Sequence, residues 1–498
     1  MKKLLAIILT VTMMLSLSSS LAEGKTWTND ENSELTILCI TDNIPNENNM
    51  VLEKLRELTG VKLNIIAVMG EDYPTKLNAM IAAGDVPDIF YCPSLTDSIA
   101  FKEAGIIANM EDVLNAVAPN VIEETKDIIR SVQVNKDGIY MVPNANIGYP
   151  TNLCIRTDWL ANLGLEMPTD LDSFAKVMHA FTYDDPDKNG KDDTFGLCWY
   201  WGAFTGKNEA FSTIFGAYGI PKCRPIELDG KVTTWVKHPK FMDAMKYIRA
   251  LVDDGVGEPE YMTLVQLDAF AKLWNGVAGA IEWECVGPTN NWMPGRYTED
   301  PVPTFDFAVL KGPDGEYGSA AIIPSLASGW MFSATSKNLE GAAKVANFCM
   351  SEKGSELLRL GVEDVMWKWV DKENGKIEYL GEYADSATIR ANGGYVYWRM
   401  FIPKNNAQDR TLNKQTQEGV ALARTMMIDW CNIQGVMESQ VQYGADMDQV
   451  INEMLAELLT CDVSEMDAVY EEYIAEWENA GGKAWEDEAT ALWAEENK

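Results

Sequence analysis

The chain has 498 residues, 47% hydrophobic and 23% charged, a globular balance that is too long for a single core and excludes disordered and fibrous classes. Its formal charge of −34 repels polyanions, which excludes nucleic acid and anionic lipid surfaces as partners. The acidity otherwise reads as solubility and is silent about a ligand.

Lys2 and Lys3 precede an apolar stretch from Leu4 to Leu17, and Ser20-Leu21-Ala22 follows with the small-x-small pattern of a cleavage site. The stretch is too short to span a bilayer comfortably, so residues 1–22 are predicted to be a signal peptide. The mature chain would begin near Glu23, with a charge of −36 (−34 less the two lysines), and would be exported without a transmembrane helix.

Leu35 to Ile40 reads as a buried strand. Met50 to Leu58 carries apolar residues at helical spacing and ends at Gly60, a C-cap. Val61 to Val68 alternates as a strand, Tyr73 to Ala83 is helical up to Gly84, and Pro87 to Phe90 opens the next strand. This alternation predicts a parallel sheet with crossover helices, whose ligand crevice lies at the carboxyl ends of the strands. Thr169 to Ala180 is predicted to be a helix with Thr169 as N-cap and Asp172 completing a variant capping box. A helix-rich tail runs from about Leu412, with Ser464 to Asp467 capping one helix. Trp477, Trp485 and Trp493 recur in that tail at a helical spacing that predicts core packing rather than ligand contact.

Between the strand-helix repeats and the tail lies the run Asp185-Pro186-Asp187-Lys188-Asn189-Gly190-Lys191-Asp192-Asp193. It matches the first half of a calcium loop, with oxygen donors at alternate positions and glycine at the sixth. Asp185, Asp187, Asn189 and Asp193 would offer side-chain oxygens and Lys191 its carbonyl. Position twelve is Gly196, so the bidentate glutamate of a full EF-hand is missing. The same composition also suits a polar turn after a helix. Calcium, if held, would be structural.

Nine scattered cysteines include no Cys-x-x-Cys pair, and several sit within apolar runs, as small buried thiols do. Only two histidines occur, His179 and His238, and no phosphate loop, GxSxG or HExxH is present. The chain is therefore expected not to be an enzyme, although abundant carboxylates leave a glycosidase pair open.

Gly84-Asp85-Val86-Pro87-Asp88-Ile89-Phe90 resembles a motif of the extracellular solute-binding proteins that serve ABC-type sugar importers. Phe101 to Ile107, Val117 to Asn120, Asp137 to Pro143, Ile155 to Leu160, Leu163 to Leu165 with Pro168-Thr169, and Glu352 to Leu358 extend that resemblance over most of the mature chain. It implies a two-lobed α/β architecture, the type II periplasmic-binding-protein-like fold, with a hinge and a helix-rich C-terminal part. The N-terminal lobe would comprise 23–145 and 311–362, and the C-terminal lobe 146–310 and 363–498. The alginate-binding members carry calcium in a loop similar to 185–193. Relatives from cells with one membrane commonly place a lipid-bearing cysteine just after the leader; here the first is Cys39, so no lipobox is expected.

The resemblance implies a carbohydrate ligand, captured in an interlobe cleft and delivered to the permease subunits of a membrane ABC transporter by a monomeric binding protein. Sugars present apolar C–H faces and hydroxyl edges, so their sites pair flat aromatic rings with charged and amide partners. Sixteen tryptophans and eighteen tyrosines supply such rings. The candidate ligand-binding residues are Trp199, Tyr200, Trp201, Trp283, Glu284, Trp292, Trp330, Trp398 and Arg399. A peptide or other non-sugar solute, or a secreted glycoside-active enzyme, are the alternatives.

Overall fold

A computed structural model describes residues 26–146, 148–206, 210–284, 297–321 and 326–497. The expected signal peptide lies outside them. The chain divides into two compact units, 1–147 with 323–412 and 148–322 with 413–498. Among the described residues the strands are, in chain order, β1 (Leu35–Thr41), β2 (Leu63–Met69), β3 (Ile89–Cys92), β4 (Thr151–Arg156), β5 (Phe195–Cys198), β6 (Ile226–Leu228), β7 (Lys231–Thr233), β8 (Ala278–Glu284), β9 (Phe305–Ala308), β10 (Ser319–Ala320), β11 (Gly329–Phe332), β12 (Trp367–Asp371), β13 (Lys376–Tyr379) and β14 (Met427–Ile428).

The first unit is built on a sheet of order β11-β3-β1-β2. Here β1 runs parallel to both β2 and β3, while β11, returning late in the chain, pairs antiparallel with β3. Leu35, Ile37, Leu38 and Cys39 of β1 are fully buried, so this strand reads as an apolar run rather than an alternation. The crossover helices are Met50–Thr59 and Tyr73–Ala83. Both end on glycines in the left-handed conformation, Gly60 (φ 68°) and Gly84 (φ 76°), whose N–H groups return to the last helical carbonyls.

In the second unit the sheet order is β5-β8-β4-β9. β4 is antiparallel to β8 and β9, and β5 is parallel to β8. All six residues of β4 are buried. Trp159, Phe174, Phe181, Phe204 and Phe215 fill the core on this sheet, joined by Met454, Leu455 and Leu458 of the long tail helix Glu438–Thr460. The tail tryptophans pack as expected: Trp477 and Trp485 are buried around Val232 with their ring centroids 6.3 Å apart, and Trp493 packs against them.

Three expectations shift. Asp170, not Thr169, caps the helix Leu171–Tyr183: its carboxylate accepts from Ser173 N–H at 2.7 Å and Ser173 completes the box. The Thr169 carbonyl is engaged by Lys311 N–H instead. In the tail, Asp462 caps a 3₁₀ turn, Val463–Glu465, which contains Ser464, and the helix Met466–Trp477 begins without a side-chain cap.

The third shift concerns the unit borders. Crossings expected at 145, 310 and 362 fall at 147, 322 and 412, so residues 363–412 belong to the first unit. A partly buried clasp helps tie this segment to the first unit. Arg410 reaches Glu356 at 2.8 Å and Glu352 at 2.9 Å and donates to Ser355 Oγ, all on the helix Glu352–Leu360. Burial pushes the Glu356 carboxyl up while Arg410 pulls it back. Removing one partner of such a pair strands the other charge in a poor solvent. Arg410→Ala is expected to lower stability in denaturant titration by about 3 kcal/mol, and adding Glu356→Gln to recover part of that loss; an R410A protein as stable as wild type would show that the clasp does not hold this segment.

Candidate functional site

In open α/β sheets the carboxyl ends of strands form the edge where backbone and side chains are free to meet a ligand. In the first unit β1 ends at Thr41, which places Asp42 and Asn43 on that edge. Arg399 meets Asp42 there at 3.2 Å, and Arg390 donates to Asn43 Oδ1 at 3.2 Å. The Arg399 guanidinium lies 4.5 Å from the Trp398 ring centre, with Arg359 at 5.0 Å from the same ring. Trp398 and Arg399 are both half-buried, so a flat ring and a fork of donors stand together at the surface.

Below this pair lies an aromatic layer. Trp330, in β11, is 1% exposed and stacks on Phe401 with centroids 5.0 Å apart. Tyr91, near the end of β3, stands edge-on to Trp330 at 5.5 Å and donates its hydroxyl to Ser328 Oγ at 2.9 Å. Burial pushes the Tyr91 phenol up, which keeps it a protonated donor. Trp330 therefore supports the edge from within, and its own ring offers almost no surface.

The second unit brings a different group together. Trp199 is 3% exposed, stacked on Tyr261 at 3.9 Å and met edge-on by Phe204 and Phe211, a core position. Trp283, next to last in β8, is half-buried and stacks on Phe270 at 3.8 Å, with exposed Glu284 beside it. Tyr200 stands edge-on to Phe270 at 6.4 Å, and half-buried Trp201 opens the short helix Trp201–Thr205. Because β5 and β8 are parallel, Tyr200, Trp201, Trp283 and Glu284 all follow the same end of the sheet. Trp292 lies outside the described residues.

Glu282, one residue before Trp283, points into the protein and is 5% exposed. It accepts from Thr213 N–H at 3.2 Å and from the Thr213 hydroxyl. Burial pushes its carboxyl up, opposed by the two Thr213 bonds and the charge of Lys222. Lys222, wholly buried, donates to the carbonyls of Ala203 and Gly206 at 2.9 and 2.8 Å.

Asp42, Tyr91 and Phe270 were not singled out by sequence reasoning. Asp42 carried one usable signal, its position two residues after a predicted strand; Tyr91 and Phe270 are recruited by pairing across the fold. The eight cysteines among the described residues are free thiols, and burial pushes Cys39 and Cys92 up to about 12, which removes them as nucleophiles at neutral pH. Among the described residues no helix is long and apolar enough to cross a membrane.

The loop 185–193 turns its side chains inward. The Asn189 amide donates to Asp187 at 2.7 Å and to Asp193 at 3.0 Å, and the backbone N–H groups of Asn189 and Gly190 donate to Asp185. Gly190 takes φ 75°, a left-handed conformation that turns the chain back over these carboxylates. Burial pushes the Asp187 carboxyl up, and the neighbouring carboxylates Asp193 and Asp185 add to the shift. The donor set is all oxygen and suits a hard cation. Among the described residues, however, no three His, Cys, Asp or Glu side chains stand together as a ready metal centre. Donor N–H groups satisfy the carboxylates in this conformation.

The family profile described as bacterial extracellular solute-binding protein matches residues 47–356. The polygalacturonan/rhamnogalacturonan-binding protein YtcQ of Bacillus subtilis is 29% identical over 60% of this chain and 58% of its own length. The chain spans only 51–58% of the length of the curated relatives it matches. Among solved structures, the ABC-transporter substrate-binding protein FusA of Streptococcus pneumoniae in complex with kestose aligns with a TM-score of 0.72 at 19% identity, covering 93% of this chain and 99% of that one. The alginate-binding protein AlgQ2 without calcium ion aligns at 0.69 and 18% identity, covering 94% of this chain and 99% of that one. At these identities the structures show a shared fold, that of the type II solute-binding proteins.

The buried Glu282 carries a pH signature. Its folded-state pKa lies above the ordinary 4.5, so the native chain holds a proton that the unfolded chain releases. This group therefore makes stability fall as pH rises upward from about 4.5, and Glu282→Gln is expected to flatten that part of the curve. Denaturant titrations of both proteins across this range measure it, and identical slopes would show that Glu282 is not perturbed by burial.

Proposed function

The chain belongs to the bacterial extracellular solute-binding protein family, and from that membership we propose that it is the substrate-binding component of an ABC importer, capturing an oligosaccharide reversibly. The observation that carries this reading is the chemistry at the strand ends of each unit. The first presents Trp398 with Arg399 and Asp42, and the second presents Trp283 with Glu284. Flat rings beside charged hydrogen-bonding groups match the alternating apolar faces and hydroxyl edges of sugars. The names of the relatives support the same class: one binds polygalacturonan and rhamnogalacturonan, and another is described with kestose. In this reading the chain is exported, acts as a monomer, performs no covalent chemistry and delivers its ligand to membrane permease subunits.

Calcium in the loop 185–193 is part of the proposal, as a structural ion. Asp185, Asp187, Asn189 and Asp193 would hold it with the Lys191 carbonyl. Asn189 would turn its amide oxygen, in place of its NH₂, toward the carboxylates it now donates to. Support comes from the convergence of these side chains and from a structural neighbour described by its calcium state.

Two measurements test these readings. A thermal-shift screen of the mature protein is expected to show a rise with one class of oligosaccharide, equivalent to about 2.7 kcal/mol at a hundredfold excess over Kd. Trp398→Ala and Trp283→Ala are each expected to weaken that ligand by about tenfold, the worth of an aromatic stack at the upper end of its range. A rise with peptides alone would sink the sugar assignment, and release of reducing ends would make the protein an enzyme. For calcium, a chelator is expected to lower the midpoint of the wild type and leave Asp185→Asn/Asp187→Asn unmoved; a wild type indifferent to chelation and to added calcium removes the ion from the loop.

A further inference from the structure

In the second unit the turn 258–261 runs beside the end of β5, where Glu258 N–H donates to the Leu197 carbonyl at 3.1 Å. Glu258 is 1% exposed. Its Oε1 accepts from Glu260 N–H at 3.1 Å, and its Oε2 has no hydrogen-bond donor among the described residues. What faces Oε2 is the ammonium of Lys272, 3.7 Å away on the helix Gln266–Trp274. The Glu260 carboxylate stands 3.9 Å from the same ammonium. A carboxylate out of water is costly unless a cation offsets it. At 3.7 Å that offset is Coulombic, not a hydrogen bond.

The pair joins two segments that hold rings of the candidate site. On the turn, Tyr261 N–H returns to the Glu258 carbonyl at 3.3 Å, and the Tyr261 carbonyl takes Trp201 N–H at 2.8 Å. The Tyr261 ring stacks on Trp199 at 3.9 Å. On the helix, buried Phe270 lies beneath Trp283 at 3.8 Å and meets Tyr200 edge-on at 6.4 Å. Cys198, the last residue of β5, donates its thiol to the Ala269 carbonyl at 2.9 Å. The chain between turn and helix has little burial of its own, with Met262 44% and Val265 61% exposed. The Lys272–Glu258 contact is therefore what ties the turn to the helix across that stretch.

We infer that Lys272 is a positioning residue for saccharide binding in the second unit. By offsetting the buried Glu258 it fixes the helix that supports Trp283 against the turn that holds Trp201. The inference rests on the proposed carbohydrate function and deepens it, since Lys272 acts through the rings and not on the ligand. Its basis is preorganisation: rings already held in the bound arrangement lose less freedom when the ligand arrives. Removing one partner of a buried pair strands the other charge, whereas replacing both with neutral groups removes the penalty and the tie together. Stability and affinity therefore separate in the two variants.

The test is calorimetric titration of the mature protein with neutral oligosaccharides and oligogalacturonides, beside thermal unfolding of the same samples. Lys272→Met is expected to lower the unfolding midpoint and to weaken the bound saccharide about three- to tenfold. Glu258→Gln/Lys272→Met is expected to recover the midpoint and to keep the weakened affinity, and it decides alone where K272M does not fold. A double variant that recovers affinity along with its midpoint shows that the pair only supports the fold, which overturns the proposal. Wild-type affinity in K272M overturns it as well. A wild type that binds none of these saccharides overturns the proposal together with the functional reading.

Discussion

The stack of Trp330 on Phe401 decides where the first unit presents its polar edge. Trp330 belongs to β11, a strand added antiparallel to the edge of a sheet otherwise made from the first hundred residues. Its ring is buried, and Phe401 closes on it from a turn some seventy residues later in the chain. That contact brings Trp398 and Arg399, three and two residues before Phe401, to the end of β1, where Arg399 meets Asp42. A large aromatic pair buries enough apolar surface to hold an irregular segment whose backbone has few regular partners. The half-exposed residues of the edge inherit their positions from the buried ones beneath.

The second unit solves the same problem with a sheet of mixed direction. β4 is buried along its whole length between β8 and β9, and this anchors β8 so that its last two residues emerge as Trp283 and Glu284. The residue before them, Glu282, points inward and is satisfied by Thr213. Glu282 and Glu284 share one face of β8, so their different exposure comes from position: Glu282 lies under Thr213 within the sheet, and Glu284 is the strand's last residue. The inward carboxylate costs stability through desolvation, while Trp283 and Glu284 keep part of their surface at the strand end.

A contrast runs through the aromatic residues of both units. Trp199, Trp330, Trp477 and Trp485 are buried and make the core, whereas Trp201, Trp283 and Trp398 keep part of their surface. In each unit a buried ring lies close in sequence or space to a partly exposed one: Trp199 two residues before Trp201, and Trp330 stacked on the turn that carries Trp398. A rigid binding surface needs this support, because an exposed ring that could rotate would lose its advantage to entropy on binding. The loop 185–193 follows a related logic, since its backbone donors and the Asn189 amide keep carboxylates close together that would otherwise repel.

The sequence by itself determined the local elements. The helix Tyr73–Ala83 has the predicted bounds, β1 and the helix Met50–Thr59 extend one residue beyond them, and Gly60 and Gly84 cap as their positions demanded. These features depend on periodicity and on backbone conformation, which neighbours in sequence specify. The solute-binding family was legible for the same reason, from short ordered motifs. Tertiary structure alone decided the rest. Asp170 displaced Thr169 as a cap because Lys311 N–H, in an isolated bridge beyond β9, engages the Thr169 carbonyl. Residues 363–412 lie in the first unit, tied there by contacts such as Arg410 with Glu356 across some fifty positions and Phe401 with Trp330. Which tryptophans are surface and which are core followed from stacking with Tyr261, Phe270 and Phe401. Such contacts join residues far apart in the chain, and their energy depends on what the rest of the fold has already brought near, so no local pattern carries them.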